Sequence, residues 1–147
     1  IADVFVSSKE NLKSINCPPN LNSAAIDEFL IIFLVAAKSK GVSKFKDLGE
    51  MNKKESKRLD LAVKFLKLIG IKIKRNKDDI KIHGNPNLSL SKNIVMKNFL
   101  KDHRIFFLSC IAALTLGGNW KINDKDSINT SFPDFLKTLK IIGAKIN

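Results

Sequence analysis

The stretch Lys53-Lys54-Glu55-Ser56-Lys57-Arg58-Leu59 sets an acid, a hydroxyl and several cations side by side. It runs into Leu59, Ala62, Val63, Leu66 and Ile69, whose three- and four-residue spacings mark one face of a helix. The polar residues are therefore expected in that helix's first turn, where unpaired backbone N–H groups point outward and the macrodipole is positive. Lys54 and Arg58 are four apart and share a face of such a helix. An anion resting there meets N–H donors, an ammonium and a guanidinium together. Arginine is scarce: of 26 Lys and Arg residues only Arg58, Arg75 and Arg104 are arginine. Its planar fork matches carboxylate and phosphate in a way an ammonium does not. From these residues alone two readings stand, a solvated helical turn and an anion site.

The elements that position this cluster follow from periodicity and punctuation. Ala2–Ser8 alternates as a strand, and Pro18-Pro19 sits in a loop. Asn22 or Ser23 can cap a helix running to about Lys40 and stopping at Gly41. Ile26, Phe29, Leu30, Phe33, Leu34 and Ala37 line one face, and Ile31, Ile32 and Val35 fill the others, so this helix is expected to be buried. Asp27 is an acid in its first turn, a position the helix dipole favours in any case. After a short strand over Val42–Lys46 comes the helix of the polar cluster, ending at Gly70. Ile71–Lys74 and Asp79–His83 form a hairpin across Asn76-Lys77-Asp78. Ile94–Phe99 reads as a strand, and Asp102 caps a second apolar helix that carries His103 and Arg104 in its first turn and ends at Gly117-Gly118. Trp120–Ile122 is a strand. Thr130 or Ser131 caps a last helix with Pro133 near its start, and Ala144–Asn147 begins a further strand after Gly143.

At 147 residues and 44% hydrophobic composition the chain can build one ordinary core. The net charge of +12 suits nucleic acid, an anionic membrane or acidic small ligands. The first two are discounted. The charge is almost all lysine spread over every segment, Tyr is absent, and no basic run is interleaved with aromatics that could stack on bases. The longest apolar run, Phe29–Ala37, is far short of a membrane span. Lys44, Lys46, Lys64 and Lys67 read as solvated faces, and His83 as a strand-end surface residue. Cys17 and Cys110 have no metal-like spacing, Cys110 reads as a small core residue, and a reducing cytosol is expected, with no signal peptide.

The order of elements repeats. Leu66–Ile73 aligns with Leu139–Ile146 at an offset of 73, and Ala36-Ala37 with Gly41 aligns with Ala112-Ala113 and Gly117 at an offset of 76. Unit one covers about 1–84 and unit two about 93–147, where the pattern breaks off. Such a unit cannot cover its apolar helix alone, so sister units are expected.

Four pieces, each at an expected helix start, carry a family resemblance: Ile26-Asp27-Glu28, Lys54-Glu55-Ser56 with Arg58-Leu59, Asp102-His103-Arg104, and Thr130-Ser131-Phe132-Pro133-Asp134-Phe135. In this order they resemble the carboxyl-terminal part of the 5-enolpyruvylshikimate-3-phosphate synthases (3-phosphoshikimate 1-carboxyvinyltransferases), over nearly the whole chain. The resemblance implies an α/β fold of repeated βαβαββ units with buried helices and outer sheets, the inside-out α/β barrel of enolpyruvyl transferases. It implies an incomplete carboxyl-terminal domain, a missing amino-terminal domain as partner, and a cytoplasmic protein that is a monomer when complete. The implied transferase moves the enolpyruvyl group of phosphoenolpyruvate to the 5-hydroxyl of shikimate 3-phosphate and releases phosphate, with no metal or other cofactor. By motif, Arg58 and Arg104 grip phosphoenolpyruvate, with His103 on the same side. Lys54 and Asp27 hold shikimate 3-phosphate, and Asp27 and Glu55 are the acid/base candidates. This chain alone is expected to be inactive. It departs from the family at Lys57, where an acid is usual, at Asn52-Lys53, where Arg-Val is usual, and at Thr130, where some members carry Lys. Two other readings remain: the sister transferase acting on a UDP-sugar, and a non-enzymatic basic domain that binds nucleic acid.

Overall fold

The computed structural model describes residues 11–97, 99 and 101–146, together with Asp3, Phe5 and Ser7. Most of the strand expected over Ala2–Ser8 lies outside the described residues. The fold is organised on helix α2, Phe29–Lys38, in which Phe29, Leu30, Phe33, Leu34, Ala36 and Ala37 are buried. Its apolar side packs on the inner face of an antiparallel sheet of strands β1 (Gly41–Phe45), β2 (Lys72–Asn76) and β3 (Asp79–Gly84), in the order β1-β3-β2. Period-two alternation aims Ser43, Phe45, Ile80 and Ile82 at the helix and Lys44, Lys81 and Lys74 at solvent. Phe33 and Phe45 meet edge to face with centroids 4.9 Å apart, and Phe29 meets Phe45 at 6.0 Å. Burying each such ring contributes about 1.5–3 kcal/mol.

Helices α3 (Arg58–Leu68) and α4 (His103–Leu116) both pack against α2, and α4 also covers a two-stranded parallel sheet of β4 (Asn93–Met96) and β5 (Asn119–Ile122). The short α1 (Asn22–Ala25) precedes α2, and α5 (Phe135–Ile141) closes the chain against α4 through Phe106, Cys110, Ile128 and Leu139. Burial pushes the Cys110 thiol up to about 12, which leaves it an inert core group. Gly84 is fixed by close approach: a Cβ there would stand 2.1 Å from the Ser39 carbonyl oxygen and 2.5 Å from that of Ala36. That contact seats the end of β3 beneath the end of α2. His83 is half-buried on the central strand, not at the surface, and its Nε2 has no hydrogen-bond partner among the described residues.

Two pieces of local geometry recur along the chain. Ser14 N–H donates to the Lys40 carbonyl at 3.0 Å, and 76 residues on Leu90 N–H donates to that of Leu116 at 2.7 Å. Helices α3 and α5 end in the same left-handed glycine cap. Gly70 and Gly143 have φ of +83° and +99°, Ile71 N–H reaches the Leu66 carbonyl at 2.9 Å, and Ala144 N–H reaches that of Leu139 at 2.9 Å.

Helix starts differ more from the sequence reading than helix ends do. The single helix expected from Asn22 to Lys40 is two, α1 and α2, and the helical segment Pro19–Ala25 is bent by 118° from Phe29–Lys38 across Ile26-Asp27-Glu28. Asn22 does not cap. Its side-chain amide donates to the Lys46 and Asp47 carbonyls at 2.8 and 3.1 Å and ties α1 to the end of β1. The last helix starts at Phe135, with Thr130 and Ser131 in the preceding turn. Residues 144–146 are irregular, and β4 ends at Met96.

Helix α3 begins at Arg58, so Lys54–Lys57 form a bent, non-helical approach to it and not its first turn. Lys57, at the cap position, supplies no capping bond. Asn52 does so from outside the helix: its side-chain carbonyl accepts from Leu59 N–H at 3.0 Å and Asp60 N–H at 3.3 Å. Its amide also donates to the Asp60 carboxylate at 3.2 Å, and Asp60 pairs with Arg75 at 2.5 Å. Asn52→Ala is expected to cost about 1 kcal/mol, as the loss of a helix cap does, read as a drop in urea midpoint with an unchanged slope.

Candidate functional site

Three helix starts converge at one end of the fold. The turn before α2 brings Asp27 and Glu28, the approach to α3 brings Glu55, Ser56 and Arg58, and the cap of α4 brings Asp102 and Arg104. Arg58 is at the centre. Its guanidinium is 1% exposed and each nitrogen has its own carboxylate: Nε to Asp102 Oδ2 at 3.0 Å, Nη1 to Asp27 Oδ1 at 2.9 Å, and Nη2 to Glu55. Arg104 lies alongside. Its Nη1 donates to the Asp27 backbone carbonyl at 2.9 Å and reaches Glu28 Oε1 at 3.5 Å, and its Nη2 pairs with Asp27 Oδ2 at 3.2 Å. The Asp27 carboxylate therefore bridges the two arginines. The Arg104 bond to the Asp27 carbonyl also gives a partner to a backbone group left open where the expected long helix breaks.

Asp102 holds this arrangement from behind. Oδ1 accepts from the N–H groups of Arg104 at 2.9 Å and Ile105 at 3.4 Å, capping α4. Oδ2 accepts from Ser56 Oγ at 2.5 Å and from Arg58 Nε. Burial by itself pushes the Asp102 carboxyl up, but the Ser56 hydroxyl, the Arg58 guanidinium and the Arg104 N–H outweigh it, and its pKa lies below the ordinary carboxylate range. A carboxyl depressed on folding adds stability that is complete above its unfolded value of about 3.9 and is lost as pH falls through the folded value. Wild type is thus expected to lose stability below about pH 4, and Asp102→Asn to lose less over the same range, by circular dichroism in urea at stepped pH.

The candidate residues named from the sequence are placed as follows. Asp27, Glu55, Arg58 and Arg104 come together in one ion-pair cluster. Lys54 stands apart, extended and exposed, lining an open cleft of about 240 Å³ with Asn22, Ser23, Ile26 and Glu50. It does not share a helical face with Arg58, because the helix has not begun there. The His103 ring lies edge-on against Phe107 with centroids 5.9 Å apart, Phe107 in turn packs on Phe132 and Phe135, and His103 has no hydrogen bond among the described residues. The open N–H groups expected at the start of α3 are not free either, since Asn52 takes those of Leu59 and Asp60. Charge at this site is carried by side chains. Asp102, Ser56 and Glu28 belong to the cluster and were not singled out for it, although all three stand inside the motifs that define it.

What these elements can do is set by charge. Two guanidinium groups are fixed a few ångströms apart across a shared carboxylate, with a second carboxylate on the outer side of Arg58. Asp27 and Glu55 are 43% and 66% exposed, so water or an incoming anion can replace them, while Asp102 is wholly buried. The site is thus a pair of arginines and their carboxylates at the helix starts of a mixed α/β architecture. The model of the EPSP synthase (3-phosphoshikimate 1-carboxyvinyltransferase) family matches residues 3–139, and the chain belongs to that family. It is 37% identical over its full length to the 3-phosphoshikimate 1-carboxyvinyltransferase of Ruthia magnifica, covering 33% of that protein. It is 34% identical to that of Zymomonas mobilis, with 99% of the chain and 32% of the relative aligned. Among solved structures, the 2.37 Å structure of EPSP synthase from Acinetobacter baumannii superposes with a TM-score of 0.81 at 29% identity, over 93% of this chain and 32% of that one. The chain thus spans about a third of the length of the relatives it matches.

Proposed function

We propose that the chain forms one wall of a site that transfers the enolpyruvyl group of phosphoenolpyruvate to the 5-hydroxyl of shikimate 3-phosphate. The observation that carries this reading is the Arg58–Asp27–Arg104 bridge with Glu55 on its outer side, in a chain of this family. Both substrates are polyanions. Arginines held by surrounding structure can bind a phosphate or carboxylate with little reorganisation. In the reaction the methylene carbon of phosphoenolpyruvate gains a proton and the 5-hydroxyl adds to its neighbour, losing a proton. The tetrahedral adduct then loses phosphate and a methyl proton, which restores the double bond. One group must accept the hydroxyl proton and one must deliver a proton to carbon. Asp27 and Glu55, on separate helix approaches and against the same guanidinium, are the two candidates. Arg58 and Arg104 bind phosphoenolpyruvate once Asp27 and Glu55 give way. Lys54, exposed in its cleft, reaches shikimate 3-phosphate, and His103 serves the phosphoenolpyruvate side by rotating off Phe107.

The organisation inferred with it is two βαβαββ units, about 1–84 and about 93–147 with the second cut short, in a carboxyl-terminal domain. The amino-terminal domain supplies the facing wall, and the whole is a cytoplasmic monomer. The reading is tested by product identity, with the chain joined to the remaining parts its relatives carry. Incubation with phosphoenolpyruvate and shikimate 3-phosphate is expected to yield a product heavier than shikimate 3-phosphate by one enolpyruvyl group, by mass spectrometry. Unchanged shikimate 3-phosphate from a folded protein contradicts it.

A further inference from the structure

We propose that Asp102 is a positioning residue for anion binding: its buried carboxylate fixes Arg58 and Arg104 at the separation at which the pair grips one oxyanion, without touching the ligand itself. The inference rests on the reading that this pair binds phosphoenolpyruvate. A carboxylate offers about four acceptor sites. Asp102 fills all of them from within the chain, with Arg104 N–H and Ile105 N–H on Oδ1 and Ser56 Oγ and Arg58 Nε on Oδ2. Its side chain has no exposed surface, so water offers no substitute. Through one carboxylate it sets the backbone that carries Arg104 and the guanidinium of Arg58.

The edge it selects matters. Asp102 takes Nε and leaves Nη1 and Nη2 turned toward the partly exposed Asp27 and Glu55. Those two nitrogens can grip a phosphate or carboxylate side by side. When an anion enters, Asp27 and Glu55 can be released to water, whereas Asp102 has nowhere to hydrate and holds on. Ser56 anchors the approach to α3 on the same oxygen, which keeps Glu55 beside the fork.

The test separates this role from helix capping. Asp102→Asn and Asp102→Ser both retain an oxygen able to cap α4. The asparagine presents an amide NH2 where Arg58 Nε needs an acceptor, and the serine is too short to reach it. Binding of phosphoenolpyruvate and of shikimate 3-phosphate is measured by calorimetry, with the chain joined to the remaining parts its relatives carry. Each variant is expected to weaken phosphoenolpyruvate at least about tenfold, since a buried charge has lost its partner. Shikimate 3-phosphate is expected to stay within about twofold, and in an Arg58→Lys background Asp102→Asn is expected to add less than about twofold, because it acts through Arg58. Unchanged phosphoenolpyruvate binding in a folded variant overturns the proposal. So do equal losses for both ligands, independent multiplication of the two substitutions, or a wild type that binds neither ligand. Binding needs no turnover, so a wild type that binds phosphoenolpyruvate without transferring it contradicts the transfer reading alone and leaves this test decisive.

Discussion

Arg58→Ala is expected to destabilise the fold by about 3–5 kcal/mol, the cost of removing one partner from a buried ion pair. The figure comes mainly from one of its three carboxylates. Asp27 and Glu55 are partly exposed and can rehydrate when the guanidinium is gone. Asp102 cannot: it is wholly buried, and it keeps the Ser56 hydroxyl and two backbone N–H groups but loses the only formal positive charge bonded to it among the described residues. A domain is typically stable by about 5–15 kcal/mol, so the loss is a large share of the total. Urea unfolding reads it directly. Arg58→Lys keeps the charge but cannot address three carboxylates from three nitrogens, so it is expected to fall between wild type and alanine. A stable Arg58→Ala protein would mean that the buried network does not hold these helix starts together.

The second large effect is in catalysis. Arg104→Ala, with the chain in the context of the remaining parts its relatives carry, is expected to cost about 2–4 kcal/mol of transition-state stabilisation, as removal of one preorganised donor does. That corresponds to a fall in kcat/KM on the order of 30- to 800-fold. Its effect on stability is expected to be small, because the Arg104 side chain is 29% exposed and its carboxylate partners Asp27 and Glu28 are more exposed still. The two arginines therefore separate: loss of Arg58 is visible in unfolding, and loss of Arg104 chiefly in rate. An unchanged kcat/KM for Arg104→Ala would remove this residue from the site.

The contrast between these residues also explains what the sequence made legible. Helix ends could be read locally, since Gly70 and Gly143 each close their helix through a positive φ and bonds within the last turn. The buried character of α2 and α4 was legible in apolar residues on nearly every face. Helix starts were not, because their determinants lie elsewhere in the chain. The turn at Asp27 is bonded by Arg104, 77 residues away, and the approach to α3 is held by Ser56 against Asp102, 46 residues away. Asn52 caps α3 from seven residues before Leu59, outside any local capping pattern. For the same reason Arg58 reads in sequence as an outward-facing cation and folds as a buried one. Asp102 reads as an ordinary cap, while Oδ2, the oxygen the cap does not use, joins two of the helix starts.

The arginine pair and its carboxylates are the central claim, and acceptor-dependent phosphate release tests it most directly. The chain, joined to the remaining parts its relatives carry, is given phosphoenolpyruvate with shikimate 3-phosphate, with a UDP-sugar acceptor, or with no acceptor, and inorganic phosphate is followed in time. Release with shikimate 3-phosphate alone, abolished by Asp27→Asn together with Glu55→Gln, is the predicted result. Release with the UDP-sugar in its place, or none from a folded protein that binds both shikimate-pathway substrates, would contradict it.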